Sequence, residues 1–159
     1  MKPRERLVTA LKSGTPDRVP VYDFLFSRRF MKEKLGYTTE LHEGSTQVKL
    51  ASSIGLDGAF IPHNGYPGFE EEAHPEGTKY VDEWGVTYIK NGWPVMAQID
   101  VALKNRKDWE AYTMPKPDAP HRLLMLEDAI KANEGEIAIL VGMLGPFTMA
   151  YWYFFDLAN

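Results

Sequence analysis

The sequence predicts an α/β protein: about three β/α units forming the N-terminal part of a (β/α)8 TIM-type barrel, with a hairpin-containing excursion after the second strand. Three observations carry that expectation. Short apolar runs bounded by turn residues alternate with amphipathic stretches, the order expected of a parallel α/β protein. Ile137-Ala138-Ile139-Leu140-Val141 is apolar at every position, as a strand covered on both faces would be. The region from His63 to Asn105 then breaks the rhythm, being rich in glycine, proline and aromatic residues.

The elements follow in order. Pro3 to Ser13 sets Leu7, Val8 and Leu11 among charges, an amphipathic helix closed by Gly14. After a turn at Thr15-Pro16-Asp17, Val19 to Phe24 reads as a short strand with proline near its start. A helix from Arg28 to Leu35 stops at Gly36, and a second, capped by Ser45 or Thr46, runs through Ile54 to Gly55. Gly58-Ala59-Phe60-Ile61 is the second strand, and Tyr80 to Ile89 alternates around Gly85 like a hairpin. The prolines of Met114 to Pro120 forbid regular pairing and make a linker. A helix over His121 to Asn133 turns Leu123, Leu124, Ala129 and Ile130 inward, and a last helix opens at Pro146.

Three such strands are fewer than a closed barrel needs, since a barrel takes about 250 residues. The chain of 159 residues is therefore expected to be an incomplete barrel domain from end to end. The competing reading is a finished three-stranded α/β domain. Open sheet edges and the aromatic run Tyr151 to Phe155 imply that an incomplete barrel alone is catalytically inert and self-associating.

A net charge of −4 gives no basic surface for phosphates, so nucleic acid is not an expected partner. A composition of 44% hydrophobic and 25% charged residues argues against disorder. With no cysteine, neither a disulfide scaffold nor a thiolate metal site can be built from these residues. The uncharged run from Ile137 to Phe155 is long enough for a membrane span, but Gly145-Pro146 inside it reads as a strand ending and a helix beginning. No membrane is expected, and the start of the chain has no apolar run of the kind a secretory leader carries, which fits the cytoplasm.

Arg4-Glu5-Arg6-Leu7-Val8-Thr9-Ala10-Leu11 followed by Pro16-Asp17-Arg18-Val19-Pro20-Val21 resembles the opening of the uroporphyrinogen decarboxylase-like superfamily. Asp82-Glu83-Trp84-Gly85-Val86-Thr87-Tyr88 and Gly145-Pro146-Phe147-Thr148 resemble later motifs of the same family, in the family's order. The resemblance implies a barrel enzyme acting on a tetrapyrrole or on a corrinoid-carried methyl group. Its members include uroporphyrinogen decarboxylases of haem biosynthesis and methylcorrinoid:thiol methyltransferases, which work with a corrinoid protein and use zinc. Those zinc ligands, a histidine and cysteines, belong to the later half of such a barrel, so no metal ligand is assigned here.

Barrel sites form at the C-terminal ends of strands. On that basis His63 and Asn64 are the candidate catalytic residues, and Tyr22, Arg29, Tyr151 and Trp152 the candidate substrate-binding residues. Guanidinium forks bind carboxylates, and Arg29 matches one arginine of the decarboxylase motif, while Leu25 stands where the other would be. A solvated helix face is the alternative for Arg28 and Arg29. Asn64 replaces the family's aspartate, and Trp152, or Tyr151 or Tyr153 if the register slips by one, replaces its tyrosine. These departures favour methyl transfer to a thiol over uroporphyrinogen decarboxylation; a non-catalytic binding module is the reading from a different class. Asp57 reads as a turn or capping residue, and the grouping of His63, Glu70-Glu71-Glu72 and His74 matches no known ligand spacing.

Overall fold

The computed structural model of the chain describes residues 1–39, 43–62, 74–92 and 97–155. In chain order the elements are α1 (Pro3–Leu11), β1 (Tyr22–Asp23), α2 (Arg28–Leu35), α3 (Gly44–Ser53), β2 (Gly58–Pro62), β3 (Lys79–Val81), β4 (Thr87–Ile89), β5 (Ala97–Asp100) and α4 (Arg106–Ala111). A 3-10 turn (Pro120–Leu123) then leads into α5 (Leu124–Ala132), β6 (Ala138–Gly142), α6 (Pro146–Thr148) and a π-helix (Met149–Phe154). The protein is mixed α/β and divides into two compact units, one of Met1–His63 with Leu123–Gly142, the other of Asn64–Arg122 with Met143–Asn159.

The first unit is built on a parallel sheet in the order β1-β2-β6, with Tyr22 opposite Gly58 and Phe60 opposite Leu140. Helices α3 and α5 cover one face, where Val48, Ala51, Ala59, Ile61, Met125, Ala129 and Ile137 are buried together. Burying each large aliphatic side chain there contributes about 1.5–3 kcal/mol. The two helices approach closely because α3 begins at Gly44; a Cβ at that position would lie 2.0 Å from the Met125 carbonyl oxygen. Helix α2 matches its sequence signals: the Ser27 hydroxyl accepts the Phe30 N–H, and Gly36 ends the helix in the left-handed conformation.

Several expectations need correction. The cap of α3 falls on Glu43, and the Ser45 N–H of its first turn is taken by the Asp128 carboxylate of α5 at 2.7 Å. Helix α5 starts only after the 3-10 turn, which shifts its phase. Met125 and Ala129 therefore face inward, while Leu123, Leu124 and Ile130 are more than half exposed. Strand β6 pairs with β2 alone among the described residues, so Val141 stands half exposed instead of covered on both faces. At the end of α1 it is Ser13, not Gly14, that takes the positive φ of 59°.

In the second unit β3, β4 and β5 form an antiparallel sheet. The expected hairpin is β3–β4, turning through Gly85 at φ +80°, a backbone conformation that glycine tolerates without a Cβ penalty. Strand β5 was not foreseen, because its four residues mix Ala, Gln, Ile and Asp without a clear alternation. The helix expected from Pro146 is α-helical only to Thr148 and then widens, with Phe155 N–H bonded to the Ala150 carbonyl five residues back at 3.0 Å. Its last carbonyls are not left open. Trp152 O accepts Gln98 Nε2 at 2.7 Å, and Tyr153 O and Phe154 O accept the N–H groups of Ala102 and Leu103 at 3.1 and 2.9 Å. The uncharged run at 137–155 is thus divided between a strand and two short helices, and no helix among the described residues is long and apolar enough to cross a membrane.

Candidate functional site

In the first unit, the chain leaving β1 is fixed by a side chain that the sequence did not single out. Buried Gln47 of α3 accepts the Leu25 N–H at 3.0 Å and donates to the Leu25 carbonyl at 2.6 Å, closing a peptide-like pair. Leu25 itself packs against the cluster beneath the helices. Leu25 is thereby a core residue. Phe24 sits with its ring 5.6 Å from Phe26 and 6.0 Å from Phe60. Tyr22 shares the sheet face of Gly58, Phe60 and Leu140, opposite the face that α3 and α5 cover, and is half exposed. Arg29 projects from the first turn of α2 and is exposed.

The opposite ends of the strands hold a different constellation. Asp57, just before β2, is fully buried and accepts Arg6 Nη1 at 2.5 Å, Arg18 Nη2 at 2.9 Å and the Val21 N–H at 2.8 Å. Arg6 also donates through Nε to Asp17 at 2.5 Å, and the N-terminal ammonium reaches Asp17 at 3.0 Å. Burial pushes the Asp57 carboxyl up, but the Val21 N–H, Arg6 and Arg18 outweigh it and hold it below its ordinary value. The hydrogen bond from Arg6, then that from the N-terminal ammonium, holds Asp17 well below the carboxylate range, and the same contact raises Arg6. Asp57 is therefore the hub of an ion-pair network and not simply a turn residue. Arg6 and Arg18, one from each opening motif, contact it directly, and Asp17 holds Arg6 in place.

In the second unit, Trp152 is 55% exposed, its ring stacked 6.3 Å from Tyr151 and 5.8 Å from Tyr153. Tyr151 in turn lies 4.7 Å from exposed Phe147. Tyr153 is buried with Val86 and Tyr88, so of the three neighbouring rings only Tyr151 and Trp152 remain accessible. At the hairpin turn, Asp82 Oδ1 accepts the Trp84 and Val86 N–H groups, each at 2.9 Å. The neighbouring Glu83 is clasped by Arg122 through both oxygens, Nη2 to Oε2 at 2.8 Å, and the Arg122 guanidinium lies 5.5 Å above the Trp84 ring. Asp82 thus closes the turn through Oδ1, and Glu83 is engaged by Arg122. Asp82 was legible as a turn residue; Gln47 and Arg122 carried no local signal, because their partners are distant in sequence.

His63, Asn64 and Glu70-Glu71-Glu72 lie outside the described residues, as do their contacts. His74 stacks on Tyr80 at 4.0 Å. Among the described residues no group of three His, Cys, Asp or Glu side chains is placed to hold a metal ion. No protein-family model, curated protein or solved structure matches the chain.

Proposed function

We propose that this chain supplies the first three β/α units of a (β/α)8-barrel enzyme of the uroporphyrinogen decarboxylase-like superfamily, acting in methyl transfer from a methylcorrinoid to a thiol. The observation that carries the reading is the Asp57 network. Sequence motifs that resemble the family's opening converge, through Arg6, Asp17 and Arg18, on one buried carboxylate at the N-terminal ends of parallel strands. Conserving strand geometry at that end and chemistry at the other is the division of labour of a barrel. The sequential order β1-β2-β6, all parallel, agrees with it.

In this reading the candidate substrate contacts are Tyr22 and Arg29 in the first unit and, taken by themselves, Tyr151 and Trp152 in the second, and His63 and Asn64 act on the reacting groups. Leu25, Asn64 and Trp152 support methyl transfer over decarboxylation, because each replaces a polar group that a uroporphyrinogen decarboxylase would use. The zinc that activates thiols in such methyltransferases needs thiolates, and this chain has no cysteine, so no step through the metal is assigned to its residues. The test is a two-arm assay of the complete gene product. Demethylation of a methylcorrinoid in the presence of a thiol, followed at the corrin absorption bands, is expected. Conversion of uroporphyrinogen to coproporphyrinogen would instead establish the decarboxylase alternative, which Arg29 favours, and activity in neither arm would leave a binding module.

A further inference from the structure

Three oxygens on one face of the second unit's sheet are sealed from solvent without a well-directed hydrogen bond among the described residues: Asp82 Oδ2, Tyr88 Oη and Gln98 Oε1. Pairing puts them together, since Tyr88 of β4 lies directly opposite both Tyr80 of β3 and Gln98 of β5, and Asp82 follows Tyr80 by two residues. Tyr88 is 1% exposed. Asp82 cannot swing away, because its other oxygen closes the hairpin turn. An ionised carboxylate and an amide oxygen only accept, so of these three groups Tyr88 alone carries a proton to donate.

The groups facing Asp82 add no cation. They are Tyr88 from the sheet and Tyr112 beyond α4, with Tyr80 and Tyr153 acting on Tyr88 in turn, together with Glu83, whose charge Arg122 already engages and His121 approaches at 3.4 Å. Burial lifts the Asp82 carboxyl; the N–H groups of Val86 and Trp84 and the Tyr88 hydroxyl hold part of the rise back, Glu83 adds to it, and the outcome is about 6. The face also communicates with the π-helix, because the amide of Gln98 donates to the Trp152 carbonyl at 2.7 Å.

We propose that Asp82 is a proton-operated catch: taking up a proton from water, it becomes the second donor of the Asp82–Tyr88–Gln98 oxygen cluster and tightens the sheet beneath the π-helix, so that the presentation of Tyr151 and Trp152 depends on pH. Release of that proton to water leaves a buried charge and returns Tyr88 to being the donor within the trio, and the packing loosens. The inference goes beyond the proposed function and stands whatever ligand the aromatic rings receive. Its sign is fixed by the raised folded-state value: the added stability is complete below the ordinary carboxylate value of 3.8 and is lost as pH rises through about 6. A separation of about two units corresponds to roughly a hundredfold change in the folding equilibrium.

The test is a pH titration of the full chain with carboxyl-labelled aspartate, read by NMR together with the assigned Trp152 indole N–H. The Asp82 carboxyl is expected to titrate near pH 6, with the Trp152 resonance following the same midpoint. Asp82→Asn keeps the acceptor for the turn and gives Tyr88 a permanent donor, so it should abolish the Trp152 titration. An Asp82 midpoint near 4 in the wild-type chain would overturn the proposal, as would a Trp152 resonance that does not follow Asp82 or one that still titrates in Asp82→Asn.

Discussion

Replacing Asp57 with alanine is the sharpest perturbation of the first unit. The carboxylate is fully buried and is the meeting point of Arg6, Arg18 and the Val21 N–H, so truncation strands a covered guanidinium and a backbone donor at once. Breaking a buried ion pair from one side costs about 3–5 kcal/mol, which already includes most of the penalty for the unpaired N–H. Against a total stability of about 5–15 kcal/mol for a domain, that is about a fifth of the margin or more. Urea denaturation reads it directly: with a slope of about 1–3 kcal/mol per molar, the midpoint should fall by more than 1 M. The pH dependence gives an independent check. Asp57 and Asp17 are both held below their ordinary values, so their contribution is present above the carboxylate range and lost as pH falls through their folded-state values. Asp57→Ala should flatten that acid limb. A loss under about 1 kcal/mol, or an acid limb unchanged in the variant, would refute the assignment of Asp57 as the hub.

Three further perturbations probe other parts of the structure. Gln47→Ala should destabilise by about 1–3 kcal/mol and, more tellingly, speed hydrogen exchange at the Leu25 N–H, because the clamp on the segment after β1 is gone. Gly44→Ala places a methyl group 2.0 Å from the Met125 carbonyl oxygen, and α3 and α5 must separate; a loss of about 1–3 kcal/mol is expected in calorimetry, and an unchanged melting temperature would count against the close approach. Arg122→Ala should cost roughly 1–2 kcal/mol, combining the two-pronged contact to Glu83 with stacking over Trp84. Arg122→Lys should recover little of that in the same melt, since an ammonium cannot supply the planar fork.

What the sequence revealed were the features with local causes. Ser27 and Gly36 bracket α2, Gly85 turns the hairpin, and Gly58 to Ile61 forms a strand, each because nearby residues dictate the backbone. Features set by distant residues were misread. Asp57 looked like a turn residue because its partners Arg6 and Arg18 lie 51 and 39 positions away. The face of α5 was rotated because the 3-10 turn at Pro120–Leu123 delays the helix, which periodicity alone does not register. Val141 was taken as covered from its apolar run, yet exposure there depends on what neighbours the strand. Of the candidate site, Tyr22 lies within β1 and Arg29 in the first turn of α2, and the structure separates accessible Tyr151 and Trp152 from buried Tyr153, a distinction that depends on the winding of the π-helix.

That winding makes the aromatic segment adjustable in a particular way. It is anchored at its start by the Gly145 carbonyl, which receives the Met149 N–H, and at its end by the bonds to Ala102 and Leu103. Between fixed anchors, a π-turn accommodates one residue more than an α-helix of the same span. Deleting one residue between them would restore ordinary α winding while both anchors hold, so a different ring would occupy each place within the turn. The order Tyr-Trp-Tyr-Phe at 151–154 thus behaves like a dial with discrete stops, and a single insertion or deletion, more than any substitution, decides which ring is offered to the outside and which is folded away.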